Sequence, residues 1–399
     1  MRELKTNTYD VVIVKLGGRS ITLKEEFETL LEENLIKATE AIVKNSHRHN
    51  KVNNDSIRTP RRRKKRKLFI IHGAGSFGHH QAHRCGLAKL ERKRFSDEAE
   101  FLRGVKETRK SVRKLNEIVY EKFVEAAGMN DDDEDDYDEV RKIHVSEDGW
   151  MFDEFNEIVI NNNNNNRKGE SAVSSSDGLR EYFDSVSNFS VPILHGDVLD
   201  DAVYGKSIVS GDRIANEIAK AYAFDENVLN IRVIFVTGAS GIYNRDPDAD
   251  DENNNNEVDC KLFRKIETNG DGSWRVVVDC LKKDMMNNDI KALLDVSLGT
   301  NGNSSITTTT CANDCTGGIK GKLESCVKIS SISRVRPIEV YITSVDSSVD
   351  DFLACLNGLV DVKTLLCCRD DDDDDEPRPF CGTLIINNIH RNTDASKCS

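Results

Sequence analysis

The chain has 399 residues, 38% of them hydrophobic, and a formal net charge of −13 that comes largely from short acidic tracts; there is apolar material for one large or two ordinary cores, and the charge bears on solubility rather than on nucleic acid as a partner. Its 11 cysteines are scattered without a CxxC pair, which suits neither a disulfide framework nor a zinc site and favours a reducing compartment. With no apolar leader and no apolar run of membrane-spanning length, a cytoplasmic protein without a membrane partner is expected.

Tyr9 to Val14 is a β-branched run that stops at Lys15-Leu16-Gly17-Gly18, a strand ending in a cation and a glycine pair, and Lys24 follows in the same loop. Leu30, Leu31, Leu35, Ile36 and Ile42 then recur at helical spacing. The polar, basic stretch that follows ends in RRRKKRK, Arg61 to Lys67, without interleaved aromatics. It is read as a solvated loop in preference to a targeting or nucleic-acid patch.

Leu68 to His80 reads LFIIHGAGSFGHH, a short buried strand followed by a turn with little side-chain bulk. Gly73, Gly75 and Gly78 spell GxGxxG, but a dinucleotide-binding turn also wants an acid ending a second strand roughly 20 residues on. Here His83 to Arg94 is basic instead, and the lack of a following GK[ST] excludes a P-loop. The dinucleotide reading falls behind two others. One is a tight strand-to-helix turn with histidines at its edge; the other is a bare loop whose N–H groups converge on a phosphate.

Phe101, Val105, Val112, Leu115, Val119 and Phe123 fit one face of a helix over Asp97 to Ala127, with Gly128 as its C-cap. Ile143 to Val145 is read as a short strand. Val191 to Leu194 is another apolar run, ending in His195-Gly196-Asp197, and Ile208-Val209 leads to Ser210-Gly211-Asp212 and a helix through Tyr222, with Ser210 or Asp212 as N-cap. Val233 to Val236 ends in a glycine-rich turn, Thr237 to Gly241. Thr316-Gly317-Gly318 precedes a helix starting near Ile319, and Val340 to Ile342 and Thr383 to Ile386 are late strands.

Short apolar strands, each followed by glycine with a polar residue and mostly by a helix, describe an α/β domain with a largely parallel sheet. In such sheets the loops beyond the carboxyl ends of the strands share one crevice. Lys15, Lys24, Gly73 to His79, Gly211-Asp212, Thr237 to Gly241 and Gly317 to Lys322 are therefore expected to converge. Cations, bare amides and an acid are the parts needed to hold phosphates and stabilise a transferred phosphoryl group. A single domain over 9–390 is expected, with disordered insertions at about 45–67, 129–140, 161–176, 248–258, 299–314 and 369–378, where Asn and Asp tracts bury too little apolar surface to order.

KLGGRSITLK, HGAGSFGH, VPILHGD, SGD, the turn after VIFVTG, and TGGIKGK occur in the order found in the isopentenyl phosphate kinases of the amino acid kinase superfamily. The chain resembles that family, and GVKETRKSVRKLNEIV and DGSWRVV resemble its eukaryotic, plant-type members. The resemblance implies a three-layer αβα sandwich that transfers the γ-phosphoryl group of ATP, accompanied by Mg²⁺, to isopentenyl phosphate, giving isopentenyl diphosphate for isoprenoid biosynthesis. A homodimer is compatible with it.

The same resemblance implies catalytic roles for Lys15, Lys24, His79 and Lys322, with no protein metal ligand. Ala74, Gly78, His79, Gly211 and Asp212 would hold the acceptor. Lys15, Leu16, Gly17, Gly18, Arg19, Gly75, Gly238, Tyr243, Gly318 and Lys322 would hold the nucleotide. His72 and His195 are read as donors that fix loops. Three positions depart from the family pattern: Gly238 stands where an acid is frequent, Arg213 where archaeal members commonly have an acid, and Arg19 where a small residue is usual. The rival readings are another small phosphate or phosphonate kinase of the superfamily and an inactive nucleotide-binding regulator.

Overall fold

A computed structural model of the chain describes residues 8–23, 25–51, 65–87, 98–128, 139–160, 176–188, 190–243, 262–269, 273–276, 318–333, 335–345, 349–360 and 382–387. Lys24 and the low-complexity tracts at 131–136, 161–166, 253–256 and 370–375 lie outside them.

The first strand, β1 (Tyr9–Leu16), passes through a one-turn helix, α1 (Gly18–Ile21), and the long α2 (Glu32–Lys51) into β2 (Lys65–His72). After a 3-10 turn (Gly75–Phe77) come α3 (His79–Arg84), α4 (Glu98–Gly128) and β3 (Glu139–Lys142). Next are β4 (Trp150–Phe152), β5 (Ile158–Ile160), α5 (Ser176–Ser187), β6 (Ser190–His195), β7 (Asp197–Asp201), β8 (Gly205–Val209) and α6 (Gly211–Tyr222). The chain continues through β9 (Val228–Thr237), β10 (Ile242–Tyr243), β11 (Leu262–Phe263), β12 (Lys265–Thr268) and β13 (Trp274–Val276) to α7 (Gly318–Ser330), β14 (Ile338–Ser344), α8 (Val349–Asn357) and β15 (Thr383–Asn387).

Nine strands form one sheet in the order β13-β12-β15-β14-β9-β1-β2-β6-β3. Its pairings are parallel except β12 with β13 and β14 with β15. β1 lies next to the central strand β9 and is buried on both faces, which is why it reads as a continuous β-branched run. Val11 and Ile13 face one core with Leu179 and Phe183 of α5, Ile214 and Ile218 of α6, and Ile329 of α7. Val12, Val14 and Leu16 face the other, with Leu35 and Ile42 of α2, Leu115 and Val119 of α4, and Phe352 of α8. The three-layer sandwich is the result, and β1, β2, β6, β9 and β14, running the same way, bring their carboxyl-end turns to one edge.

Several elements differ from the sequence reading. A second sheet, β5-β4-β7-β8, was not expected, because strands of three to five residues are too short to carry a periodic signal. The strand expected at Ile143 to Val145 is displaced to β3, which pairs with β6 through Glu139 to Lys142. The insertion expected over 45–67 is shorter, since α2 runs to Lys51 and β2 begins at Lys65. Arg66 is not solvated: its guanidinium reaches the Leu356 carbonyl at the end of α8 at 3.2 Å, and Lys67 pairs with Asp184 of α5. Among the described residues no helix is long and apolar enough to cross a membrane.

Candidate active site

Two glycine turns meet at the carboxyl edge of the sheet. Register sets Leu16 beside His72, and the turns after them touch: a Cβ on Gly18 would lie 2.6 Å from the Gly75 Cα, and one on Gly73 would lie 2.7 Å from the Gly18 nitrogen. Gly75 has φ +49°, a left-handed conformation natural to glycine. Thr22 fastens the two turns, donating to the Gly18 carbonyl at 2.8 Å and accepting from the Ser76 N–H at 3.0 Å. Gly17 donates to Val236 of β9 at 2.7 Å. Gly18 and Gly75 thus meet backbone to backbone, with the Thr22 hydroxyl bridging the turns beside them.

Lys15, the penultimate residue of β1, is buried and places Nζ 2.8 Å from Asp212 Oδ1. Lys322, from the second turn of α7, places its Nζ 3.7 Å from the other carboxylate oxygen. Asp212 stands in the first turn of α6, capped by Ser210, whose side chain accepts from the Arg213 N–H. Of the two expected N-caps, Ser210 is the one used. Burial pushes the Asp212 carboxyl up, but Lys15 and then Lys322 outweigh it and hold it down at about 2. The Lys322 ammonium is pushed downward by burial and by Lys15, against the pull of Asp212. The trio is a carboxylate bridging two ammonium groups, and Gly211 keeps it close, since a Cβ there would lie 3.3 Å from Lys15 Cε.

The remaining expected residues arrange themselves around this trio unequally. Ala74 and His79 lie in and just after the second glycine turn, both partly buried, with His79 opening α3. Gly78 packs that turn on α4, where a Cβ would lie 2.9 Å from Val112 Cγ2. Leu16 offers only backbone: its side chain is in the core and its carbonyl accepts from the Gly73 N–H at 2.9 Å. Arg19 is half exposed, 4.0 Å from Glu25. Gly238 is roomy, with only the Arg19 carbonyl, at 3.9 Å, near a Cβ. Tyr243 pairs with Leu262 across β10 and β11, and Gly318 is the first residue of α7. Arg213 is engaged by Glu217 at 2.8 Å and Glu157 at 3.1 Å, so its charge is absorbed on α6 and the β4–β5 turn.

Sequence reasoning missed Thr22 and Ser76, whose mutual bond locks the turns. It also missed Glu28, a non-glycine residue at φ +51° whose carboxylate accepts from Ser111 at 2.5 Å and Lys114 at 2.6 Å on α4. Thr22 and Ser76 lie within the KLGGRSITLK and HGAGSFGH motifs but carry no charge to single them out, and Glu28 belongs to no pattern; each is a polar residue given its partner by the fold.

Residues 10–294 match the model of the amino acid kinase family. Over 353 residues the chain is 28% identical to an isopentenyl phosphate kinase of Arabidopsis thaliana, covering 83% of this chain and 86% of that protein. Among solved structures it is similar to the isopentenyl phosphate kinase of an X-ray study, with a TM-score of 0.51 at 18% identity over 94% of this chain and 99% of the other. An isopentenyl phosphate kinase substrate complex aligns with a TM-score of 0.49 at 17% identity, again over 94% and 99%. With more than half its length matched by the family model, and with the sheet order and glycine turns described above, the chain belongs to the amino acid kinase family.

Proposed function

We propose that the protein transfers the γ-phosphoryl group of ATP to the phosphate of isopentenyl phosphate, releasing isopentenyl diphosphate and ADP. The observation that carries this reading is the convergence of Lys15 and Lys322 on Asp212 beside the touching Gly18 and Gly75 turns, in a chain similar along most of its length to a kinase of that name. Donor and acceptor are both anions, so an in-line approach needs cations and amides between them. Asp212 holds two ammonium groups in one place without cancelling them, because two positive charges face one negative.

In this reading Gly18 and Gly75 hold the ATP phosphates through bare amides, Gly17 fixes their turn by donating to Val236, and Lys322 meets the nucleotide from the far side. Gly211, Ala74 and His79 seat the acceptor's phosphate, and Lys24 acts on the transferring group. An acceptor with a prenyl tail needs apolar surface beside its phosphate. α3, which begins with His79, turns Ala82 and Cys85 into a small apolar cluster with Phe101, Val105 and Val198. Among the described residues no group of acidic, cysteine or histidine side chains is placed to cage a metal ion, and both Asp212 oxygens face ammonium groups. A magnesium ion entering with ATP would thus be held by the nucleotide's own phosphates, and no step is assigned to it. The buried free thiols of Cys85, Cys326 and Cys355 support a reducing, cytoplasmic setting.

The test is a coupled ADP-release assay with ATP and, in parallel, isopentenyl phosphate, a phosphonate, carbamate and amino-acid carboxylates. Turnover concentrated on isopentenyl phosphate is expected. It should fall about ten- to a hundred-fold in His79→Ala, the range for losing a hydrogen bond to a charged group. Activity confined to carboxylates or carbamate, or a folded His79→Ala protein with unchanged kinetics, would overturn the assignment.

A further inference from the structure

β2 and β6 both end in a His-Gly pair, and their register sets His72 opposite His195. Each ring turns back on its own chain, His72 Nδ1 lying 3.1 Å from the Gly73 carbonyl and His195 Nδ1 2.9 Å from the Gly196 carbonyl. A carbonyl only accepts, so both Nδ1 atoms carry hydrogen. The two rings are wholly buried and stacked at 5.6 Å with planes 26° apart. The other nitrogen of His195 lies 2.9 Å from Nδ1 of His144, in the turn after β3.

These distances define one arrangement of protons. His195 already donates through Nδ1 to Gly196, so in its neutral form Nε2 accepts, and the hydrogen between the rings belongs to His144 Nδ1. His72 follows the same rule: its Nε2 accepts, and the Asn116 amide, whose oxygen is drawn 3.0 Å away, must present its nitrogen instead. Turned this way, the amide gives that otherwise partnerless buried nitrogen an acceptor and leaves the oxygen in its former place. A proton added to His195 Nε2 would set N–H against N–H.

The carbonyls held by this row open the turns of the site. Gly73 begins the loop that leads to Ala74 and His79. The Gly196 N–H donates to the His72 carbonyl at 3.3 Å, and a Cβ on Gly196 would lie 3.3 Å from the Gly211 nitrogen. Both contacts fall on the side assigned above to the acceptor's phosphate; the nucleotide-side turn meets the row only through Gly73, which His72 holds and which packs on Gly18, and not through His195 or Gly196.

We propose that His195 is a positioning residue for the acceptor phosphate, acting only in the arrangement in which His144 donates to it and it donates to the Gly196 carbonyl, with the stacked His72 holding the neighbouring turn. This rests on the reading of Gly73 to His79 and Gly211 as the acceptor's seat. Charge on the row is opposed by burial, by the neighbouring imidazoles, and by Arg113 of α4, Lys142 of β3 and Lys15 of β1, with Asp197 of β7 and Glu147 pulling the other way. Acid should therefore weaken acceptor use before nucleotide use.

Steady-state kinetics tests this. His195→Phe keeps the stacked ring and removes both hydrogen bonds, and should raise KM for isopentenyl phosphate about ten- to a hundred-fold, as expected for two lost buried hydrogen bonds, with KM for ATP unchanged. His195→Asn restores a donor near the Nδ1 position and should recover most of the loss. An unchanged acceptor KM in His195→Phe, an equal rise in both KM values, or an Asn variant no better than Phe would overturn the proposal. If the variants do not fold, nitrogen-15 NMR of histidine-labelled wild type decides: His195 should be protonated on Nδ1 and bare on Nε2 at neutral pH, and the opposite tautomer would overturn it. If the wild type uses another acceptor, the same comparison of KM values is made with that acceptor, which separates failure of the inference from failure of the functional reading.

Discussion

Asp212 carries the electrostatics of the site at the scale of single residues, because it is the carboxylate against which Lys15 and Lys322 are both set. Lys322 approaches from α7, and in the proposed reaction it meets the nucleotide in the ground state as well as during transfer. Lys322→Ala should therefore raise KM for ATP and lower kcat together, while leaving KM for the acceptor nearly unchanged. An effect on kcat alone would move Lys322 to the transferring group. His72 makes a second prediction. Its pKa is lowered from an ordinary value near 6.5 to about 3, first by burial and then by His195. Between those values the unfolded chain binds a proton that the folded one refuses, so stability is complete above the ordinary value and is lost as pH falls toward 3. Each pH unit in that window removes on the order of 1 kcal/mol for this group. Urea unfolding at pH 7 and 5 should show the loss, and His72→Gln should flatten it. Asp212 adds the same sign at lower pH, since its contribution is present above its ordinary value of 3.8 and fades as pH falls through about 2.

At the scale of elements, the paired turns after β1 and β2 work because Gly18 and Gly75 meet backbone to backbone. Gly18→Ala would place a methyl group 2.6 Å from the Gly75 Cα and nitrogen. Neither atom is the end of a flexible side chain, so the turns must part. A loss of several degrees in melting temperature and a severe loss of ATP binding are expected, in line with the roughly 1–3 kcal/mol cost of overpacking. Gly238→Ala is the control. It sits in a turn of similar composition, but its Cβ would find only the Arg19 carbonyl, at 3.9 Å, and its melting temperature should match the wild type. Thermal unfolding of the two variants side by side checks both. A stable Gly18→Ala protein with normal ATP binding would show that the two turns are not rigidly apposed.

For the whole molecule, two packed layers of helices hold a central sheet whose parallel strands deliver their turns to one edge. Deleting Asn161 to Asn166, which lie between β5 and α5, should leave turnover and melting temperature nearly unchanged. Loop closure changes by only about 0.6 kcal/mol per doubling of length. A large drop in melting temperature would mean that the tract packs on the domain.

What the sequence by itself determined was everything with a local cause. The β-branched run of β1 is buried on both faces and therefore apolar at every position from Val11 to Val14, and the amphipathic stripe of α4 buries Phe101, Val105, Val112, Leu115, Val119 and Phe123 as its spacing predicts. Glycines mark the turns because the backbones there touch. The order of these motifs was also enough to indicate a family. That Lys15, Asp212 and Lys322 converge was expected from the strand-and-turn pattern; only the tertiary structure decided how the charges pair. Lys15, Asp212 and Lys322 are far apart in the chain and become neighbours through the sheet order. Arg66 and Lys67, read as solvated, are held by Leu356 and Asp184, and Arg213, read as a departure in the site, is occupied by Glu157 and Glu217. Periodicity and turn chemistry are properties of a few adjacent residues and survive in the sequence. The partner of a buried charge or a histidine ring is chosen by strand register and helix packing, which arise only when distant segments come together.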